Sequence, residues 1–232
     1  RWRNCYLEEI DLTDFEKRWR DHYNVAPVDD ETWRKARIYN AWFDHALLRT
    51  IWTNQAEIAP GVFRSNHPTK ARLMRLRKSG LRSVLSLRGS TPQAHNATER
   101  IWCEELGLSL HTVAMTDRRA PTRETLKQVI DAFRRIERPF LIHCKSGADR
   151  AGLASAMYLM AMENAPLSEA RRMMSWRFWH LRNSRAGVLG AVLDAYEADG
   201  AEGAMPFETW IETRYDSVSV AKAFAERRGR RG

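Results

Sequence analysis

Cysteine is scarce in this chain: Cys5, Cys103 and Cys144 are the only three among 232 residues. An odd, low count does not build a disulfide scaffold, and no C-x-x-C pair exists to start a cysteine zinc site. A reducing compartment is the resulting expectation. Long apolar runs are also missing. The longest stretch free of Asp, Glu, Lys and Arg is Ala151–Met162, about half of what a membrane span needs. No transmembrane helix is encoded, and no secretory leader is visible. The chain opens at Arg1 rather than Met, so a leader or a cut boundary is expected ahead of it. Internal repeats are absent, and 44% hydrophobic with 29% charged residues is a globular rather than a disordered composition.

Acidic residues are thin in one region. Residues 59–155 hold 18 Lys/Arg against 8 Asp/Glu, whereas residues 1–58 hold 9 against 11 and residues 156–232 hold 11 against 10. The formal net charge of +9 therefore belongs to the middle segment. Basic excess suits nucleic acid, an anionic membrane or a phosphorylated substrate. The chain carries no aromatic-basic platform or nucleic-acid recognition motif, so a nucleic-acid partner is not expected.

The same segment alternates short apolar runs with helix-like stretches. Strands are expected at Val62–Arg64, Ser83–Leu87, Leu108–Ala114 and Pro139–His143. Helices are expected at Pro68–Ser79, Ala97–Leu106, from the cap Thr122 to about Ile136, and at Ala151–Met162. This order predicts an α/β fold, a central and largely parallel twisted sheet flanked by helices. The expected division is an N-terminal helical extension over 1–58, a core over 59–165, and a C-terminal helical part of the same domain over 166–232. Residues 1–58 hold Trp2, Trp19, Trp33, Trp42 and Trp52, five of the nine tryptophans. Glu31–Trp52 reads as a helix with Ala36, Tyr39, Phe43, Ala46 and Leu47 on one face, and with Ile38, Trp42 and Leu48 making it apolar elsewhere too. That helix suits a cap on the core, with an interfacial or docking helix as the alternative. After Pro166, Ser168 is placed to cap a helix rich in Arg and Trp. Ala186–Ala198 and Phe207–Tyr215 read as further helices, and Arg227–Gly232 as a solvated basic tail.

Chemistry concentrates in Leu141-Ile142-His143-Cys144-Lys145-Ser146-Gly147-Ala148-Asp149-Arg150-Ala151-Gly152. A strand ends at a cysteine, a short loop follows, and an arginine opens a helix. Loop N–H groups can converge into an anion nest, and the helix adds the positive end of its dipole. The planar fork of Arg150 suits two oxygens of one phosphate. Such surroundings favour a thiolate, which suits nucleophilic attack on phosphorus. Gly147 lets the loop turn where a side chain would obstruct the anion.

This run resembles the His-Cys-x5-Arg signature of the cysteine-dependent protein tyrosine phosphatase superfamily. Val62-Phe63-Arg64-Ser65 with Pro68, and Gly80 through Arg88, resemble the opening of atypical dual-specificity phosphatases, so the likeness spans about 59–165. The resemblance implies metal-independent hydrolysis of phosphate monoesters through a phosphocysteine, with no cofactor and no metal. It implies Cys144 as nucleophile and Arg150 as the group stabilising the transferring phosphoryl. Lys145, Ser146, Gly147, Ala148 and Asp149 would supply backbone amides, and His143 would orient the loop and favour the thiolate. The general acid is expected on a separate loop. Asp117, 27 positions before Cys144, fits that place. Asp149 is the rival, since myotubularins and Sac-type phosphatases carry Asp just before the signature arginine. Where the family has Ser or Thr after that arginine this chain has Ala151, so the second, hydrolytic step lacks its usual hydroxyl.

Lys145 stands where 3-phosphoinositide phosphatases and some inositol-pyrophosphate phosphatases also carry lysine. With the basic helix at 70–78 and Arg118, Arg119 and Arg123 beside Asp117, it predicts a polyanionic substrate: phosphoinositide, inositol phosphate or lipid phosphate. A phosphoprotein is the other substrate expected. The expected place is the cytoplasm, with peripheral contact at the inner face of a membrane. The competing reading is a weak or inactive phosphate-binding or membrane-docking module, motivated by Ala151 and the Trp-rich ends.

Overall fold

The three inner strands of the sheet are buried almost throughout, which favours short apolar runs, whereas the two edge strands stay partly exposed. In the computed structural model, residues 12–44, 51–200 and 202–229 are described, with side chains from residue 16 onward. Trp2, Cys5, Ala46, Leu47, Leu48 and residues 230–232 lie outside that set. The strands are β1 (Ala56–Ala59), β2 (Val62–Asn66), β3 (Ser83–Ser86), β4 (Ser109–Thr112) and β5 (Phe140–Cys144). They form one sheet in the order β1-β2-β5-β3-β4. Only β1, joined to β2 by a tight turn, runs antiparallel, and the remaining pairs are parallel. Central β5 pairs with β2 and β3, and its last residue, Cys144, sits opposite Asn66. The fold class expected from the sequence is the one found.

Alternation along the strands splits the core into two layers. Leu85, Phe140 and Ile142 face α5 (Arg123–Arg135) and α6 (Asp149–Met162), with the C-terminal elements packed behind. Val84 and Leu141 face the other way, onto Leu73 of α3 (Lys70–Lys78) and Cys103 of α4 (Ala94–Leu106). Helix α6 is apolar all round, with Ala151 through Met160 buried, as a helix enclosed between a sheet and a second helical layer must be.

The N-terminal segment gives α1 (Leu12–Tyr23) and α2 (Asp30–Ile38). Helix α2 opens with a capping box between Asp29 and Thr32. The long helix expected over 31–52 is instead shorter: a π-type turn, Tyr39–Phe43, takes over, and the described part ends at Asp44. Ala36 and Tyr39 do face inward, onto Ala94 at the start of α4, so the segment packs as a cap. Trp42 stays exposed.

The C-terminal third departs further from expectation. Pro166, not Ser168, precedes α7 (Leu167–Ala170), which then tightens into 3₁₀ turns over Arg171–Met174 and Trp176–Phe178. The expected helix over 186–198 is a 3₁₀ turn, Arg185–Leu189, followed by α8 (Ala191–Ala198). After α9 (Phe207–Thr213), residues 227–229, the described part of the stretch read as a solvated tail, are helical within α10 (Ser217–Gly229). Its Arg227 ion-pairs with Asp194 of α8, which also takes Arg171 at 2.7 Å and Arg182 at 2.9 Å. One acidic residue facing three arginines fixes a helix that charge counting alone would leave in solvent. No described helix is long and apolar enough to cross a membrane.

Candidate active site

Central β5 delivers Cys144 to the carboxyl edge of the sheet, where open α/β sheets hold their ligands. The chain then turns through 145–148 into α6, whose N-terminus at Asp149 points its positive dipole end at the loop. Cys144 is almost fully buried, and the Gly147 N–H donates to its sulfur at 3.2 Å. Gly147 has φ +75°, and a Cβ there would lie 2.6 Å from the Asn66 backbone nitrogen and 2.7 Å from the Ser65 carbonyl carbon. The loop is therefore pressed onto the end of β2, and a side chain at this point has no room. Ser146 Oγ accepts from the Ala148 N–H at 3.3 Å.

Arg150, on the first turn of α6, keeps its side chain largely buried and reaches across the end of the sheet. Its guanidinium donates to the Met115 carbonyl at 3.3 Å and approaches Asp117 Oδ2 at 3.9 Å. The structure thus brings Asp117, Arg150 and the Cys144 loop to one place. Asp149 is directed elsewhere: its Oδ1 lies 2.8 Å from Nδ1 of buried His180. Ala151 is buried in the core, leaving no hydroxyl there.

His143 points away from the loop, to the α4 side of β5. Its Nε2 is 2.7 Å from Glu99 Oε1, and His67 Nδ1 lies 3.9 Å from the same oxygen. The His67, Glu99 and His143 donor atoms lie within 4.8 Å of one another, the described group best spaced for a metal ion. Glu99 and His143 are in ion-pair contact at 2.7 Å, yet Glu99 Oε1 and His143 Nε2 are buried without a hydrogen bond among the described residues. Cys103, also on α4, is no nucleophile: burial, aided by Glu99 and Glu104, pushes its thiol up to about 12.

Lys145 is half-exposed and leans toward the N-terminal segment, its Nζ 3.6 Å from Asp44 Oδ1 and 3.5 Å from the Phe43 carbonyl. Asp44 is itself buried and takes both arms of Arg88, at 2.7 and 2.8 Å. The π-type turn after α2 is what delivers this carboxylate to the loop's first residue.

The loop is gripped from behind by Arg64 of β2, a fully buried arginine that the chemistry of the signature run does not single out. Its guanidinium donates to the carbonyls of Met173 (2.6 Å), Ala148 (3.3 Å) and Gly147, and lies 3.8 Å from the Phe178 ring centroid. Burial pushes its pKa down to about 10, against the opposing pull of Cys144 and Asp149. At neutral pH it therefore stays charged. Trans peptide planarity sets each carbonyl opposite the next residue's N–H. Holding the Gly147 and Ala148 carbonyls on one side therefore fixes the N–H groups of Ala148 and Asp149 on the other. Glu99, Asp44 and His180 escaped the reading of the sequence, and Arg64 entered it only within the run Val62-Phe63-Arg64-Ser65, without a role. Of the first three, only Glu99 left a trace there, as an acidic residue in line with Asn96 and Cys103 on a helix's inner face.

Comparison with known proteins agrees with this frame. A family model described as "Polymorphic toxin system, DSP-PTPase phosphatase" matches residues 59–164. That segment, under half of the chain, is similar to the cysteine-dependent protein tyrosine phosphatase superfamily in its atypical dual-specificity-like branch. Among curated proteins the chain is similar to the inositol diphosphatase DSP2 of Oryza sativa subsp. japonica, 29% identical over 119 residues. That match takes in 48% of this chain and 55% of the relative, so the chain spans about half the length of the curated relative it matches. Among solved structures it is similar to TpbA of P. aeruginosa, with TM-score 0.50 and 24% identity over 66% of this chain and 91% of TpbA. TpbA in complex with pTyr gives TM-score 0.51 at 21% identity, over 69% of this chain and 91% of that one. At these identities the structural likeness establishes the fold.

Proposed function

We propose that this chain is a metal-independent phosphatase that cleaves phosphate monoesters through a phosphocysteine at Cys144. The observation that carries the reading is the convergence at one sheet edge of Cys144, the loop of 145–148, the N-terminus of α6, Arg150 and Asp117. The phosphoryl group would seat in the loop, its oxygens met by the N–H groups of Lys145 through Asp149 and by the fork of Arg150. The Cys144 sulfur attacks phosphorus and the ester oxygen leaves. Asp117 gives that oxygen its proton, because its carboxyl stands beside Arg150 while that of Asp149 is held by His180. Water then releases phosphate from sulfur, with Asp117 returning as base. Ala151 supplies no hydroxyl to that second step, so release of the phosphoenzyme is the slower half. His143, in contact with Glu99 on one side, meets the Cys144 carbonyl through Nδ1 at 3.4 Å on the other, at the start of the loop.

For the substrate we propose a phosphate ester with further negative charge, such as an inositol phosphate or a lipid phosphate. The excess of basic residues in 59–155 and the inositol diphosphatase relative support this, and the pTyr complex of TpbA keeps a phosphoprotein as the second reading. The free Cys144 suits a reducing compartment. The family description adds a setting, the effector domain of a polymorphic toxin system. In that setting, expression in a bacterial host arrests growth and Cys144→Ser relieves the arrest, whereas equal growth of the two would reject it. The test of the activity itself is hydrolysis of an aryl phosphate in the presence of a chelator. Wild type turns over and Cys144→Ser does not, and comparable turnover by both would end the cysteine mechanism.

A further inference from the structure

The loop that carries Asp117 continues as Arg118-Arg119-Ala120, and on its far side opens a cavity of about 560 Å³ that plays no part in the chemistry above. Its charged lining comes from three separate stretches: Arg118 and Arg119 from the acid loop, Arg185 from the 3₁₀ turn before α8, and Arg228 from the last turns of α10. Its floor is apolar, made by Val188, Val218, Ala221 and Phe224. No Asp or Glu lines it among the described residues. None of the four pocket arginines makes an ion pair among the described residues, which they share with other surface arginines such as Arg75 and Arg100; what sets them apart is that they gather around one apolar floor. Arg228 lies 5.8 Å from the Phe224 ring centroid, over the apolar floor.

Four unpaired guanidiniums around an apolar floor repel one another unless an anion sits among them. The volume lies within the range of small-molecule sites, and apolar walls with a few converging charged groups are what such sites present. A bare polyanion would use the arginines and waste the floor, while an uncharged apolar ligand would leave the charges in mutual repulsion. We propose that this cavity binds an anionic amphiphile, a molecule with a phosphate-type head and a short apolar body, beside the acid loop. The head lies among the arginines and the body on Val188, Val218 and Phe224.

The test uses the full chain carrying Cys144→Ser, with calorimetric titration of dioctanoyl phosphatidic acid below its micelle concentration. In parallel, inositol hexakisphosphate serves as an anion without an apolar body. Adding Arg185→Gln and Arg228→Gln to the Cys144→Ser chain should weaken the amphiphile about a hundredfold or more, since two charge-assisted bonds are lost. Adding Val218→Asn should weaken the amphiphile and leave inositol hexakisphosphate unchanged. In an otherwise wild-type chain, these substitutions leave aryl phosphate turnover as it was, which also shows that the variants fold. Amphiphile affinity unmoved by the arginine substitutions would overturn the proposal. So would inositol hexakisphosphate binding that depends on these arginines while the amphiphile does not bind. Because binding is read on a chain lacking the nucleophile, it stays legible if wild type hydrolyses nothing. In that case the phosphatase reading fails and the pocket is judged on its own.

Discussion

Replacing Arg64 probes how the phosphate loop is held. Arg64→Met keeps most of the volume and removes the fork. Against the change stand three carbonyls, of Met173, Gly147 and Ala148, left without their donor, and a lost cation–π contact with Phe178. Each orphaned buried carbonyl costs about 1–3 kcal/mol, and the ring contact is worth about 1–2 kcal/mol. In favour stands relief of burying a charge. A guanidinium pushed from 12.5 down to about 10 carries a penalty on the order of 3 kcal/mol at 1.36 kcal/mol per unit. The net is a loss of about 1–8 kcal/mol, measurable as a lower midpoint in urea unfolding. Turnover reads a separate consequence. Once the Gly147 and Ala148 carbonyls are free to rotate, the N–H groups of Ala148 and Asp149 no longer have a fixed aim. Losing one preorganised donor costs about 10²–10³ in kcat. Arg64→Met should therefore cut kcat on an aryl phosphate by about 10²-fold. Arg64→Lys, which keeps a charge but no fork, should fall between it and wild type. Wild-type kcat in folded Arg64→Met would refute the reasoning, because the loop would then hold its shape without its brace.

Other substitutions test separate parts of the account. Asp117→Asn should slow esters with poor leaving groups far more than activated aryl esters, and Asp149→Asn should show no such dependence; the reverse pattern in a leaving-group series would move the acid to Asp149. Gly147→Ala sets a Cβ against the end of β2 at φ +75°. It should cost about 1–2 kcal/mol from the left-handed backbone alone, more from the clash, and most of the turnover, whereas unchanged thermal midpoint and kcat would contradict the close approach. Asp194 carries a pH signature. Burial works to raise its carboxyl, but Arg171, Arg227 and Arg182 outweigh it and hold it below the usual carboxylate range. A folded-state value below the unfolded one adds stability above about pH 4 and loses it as pH falls through the lowered value. Asp194→Asn should thus destabilise at pH 7, with the gap to wild type closing as pH falls through the lowered carboxyl value in denaturant titrations.

What could be read in the sequence follows from how local each feature is. Cys144, the turn at Gly147 and Arg150 lie within seven residues, and the apolar run before them and the apolar helix after them fix their geometry. That part was legible down to the strand end. Asp117 was placed by chain order, and the structure brings its carboxyl to Arg150. The braces were not legible, because each joins residues far apart in the chain: Arg64 to Gly147, Glu99 to His143, Asp44 to Lys145, Asp149 to His180. Such pairs are chosen by packing, and a buried charge looks in sequence like any surface charge. The helix expected to run from 31 to 52 failed for a related reason. Its apolar spacing continues past Tyr39, but the buried pairing of Asp44 with Arg88 belongs to a tertiary contact that periodicity does not report. The tail after 226 was misread because Asp194 lies 33 residues from Arg227.

The central claim is that phosphate passes through the sulfur of Cys144. The most direct measurement is an acid quench of the chain during turnover of an aryl phosphate, followed by mass spectrometry of the peptide containing residues 143–150. The account predicts a phosphate adduct on Cys144, accumulating because Ala151 leaves the second step slow, and absent from Cys144→Ser. Steady turnover with no adduct on Cys144 at any quench time, or undiminished turnover by Cys144→Ser, would contradict it.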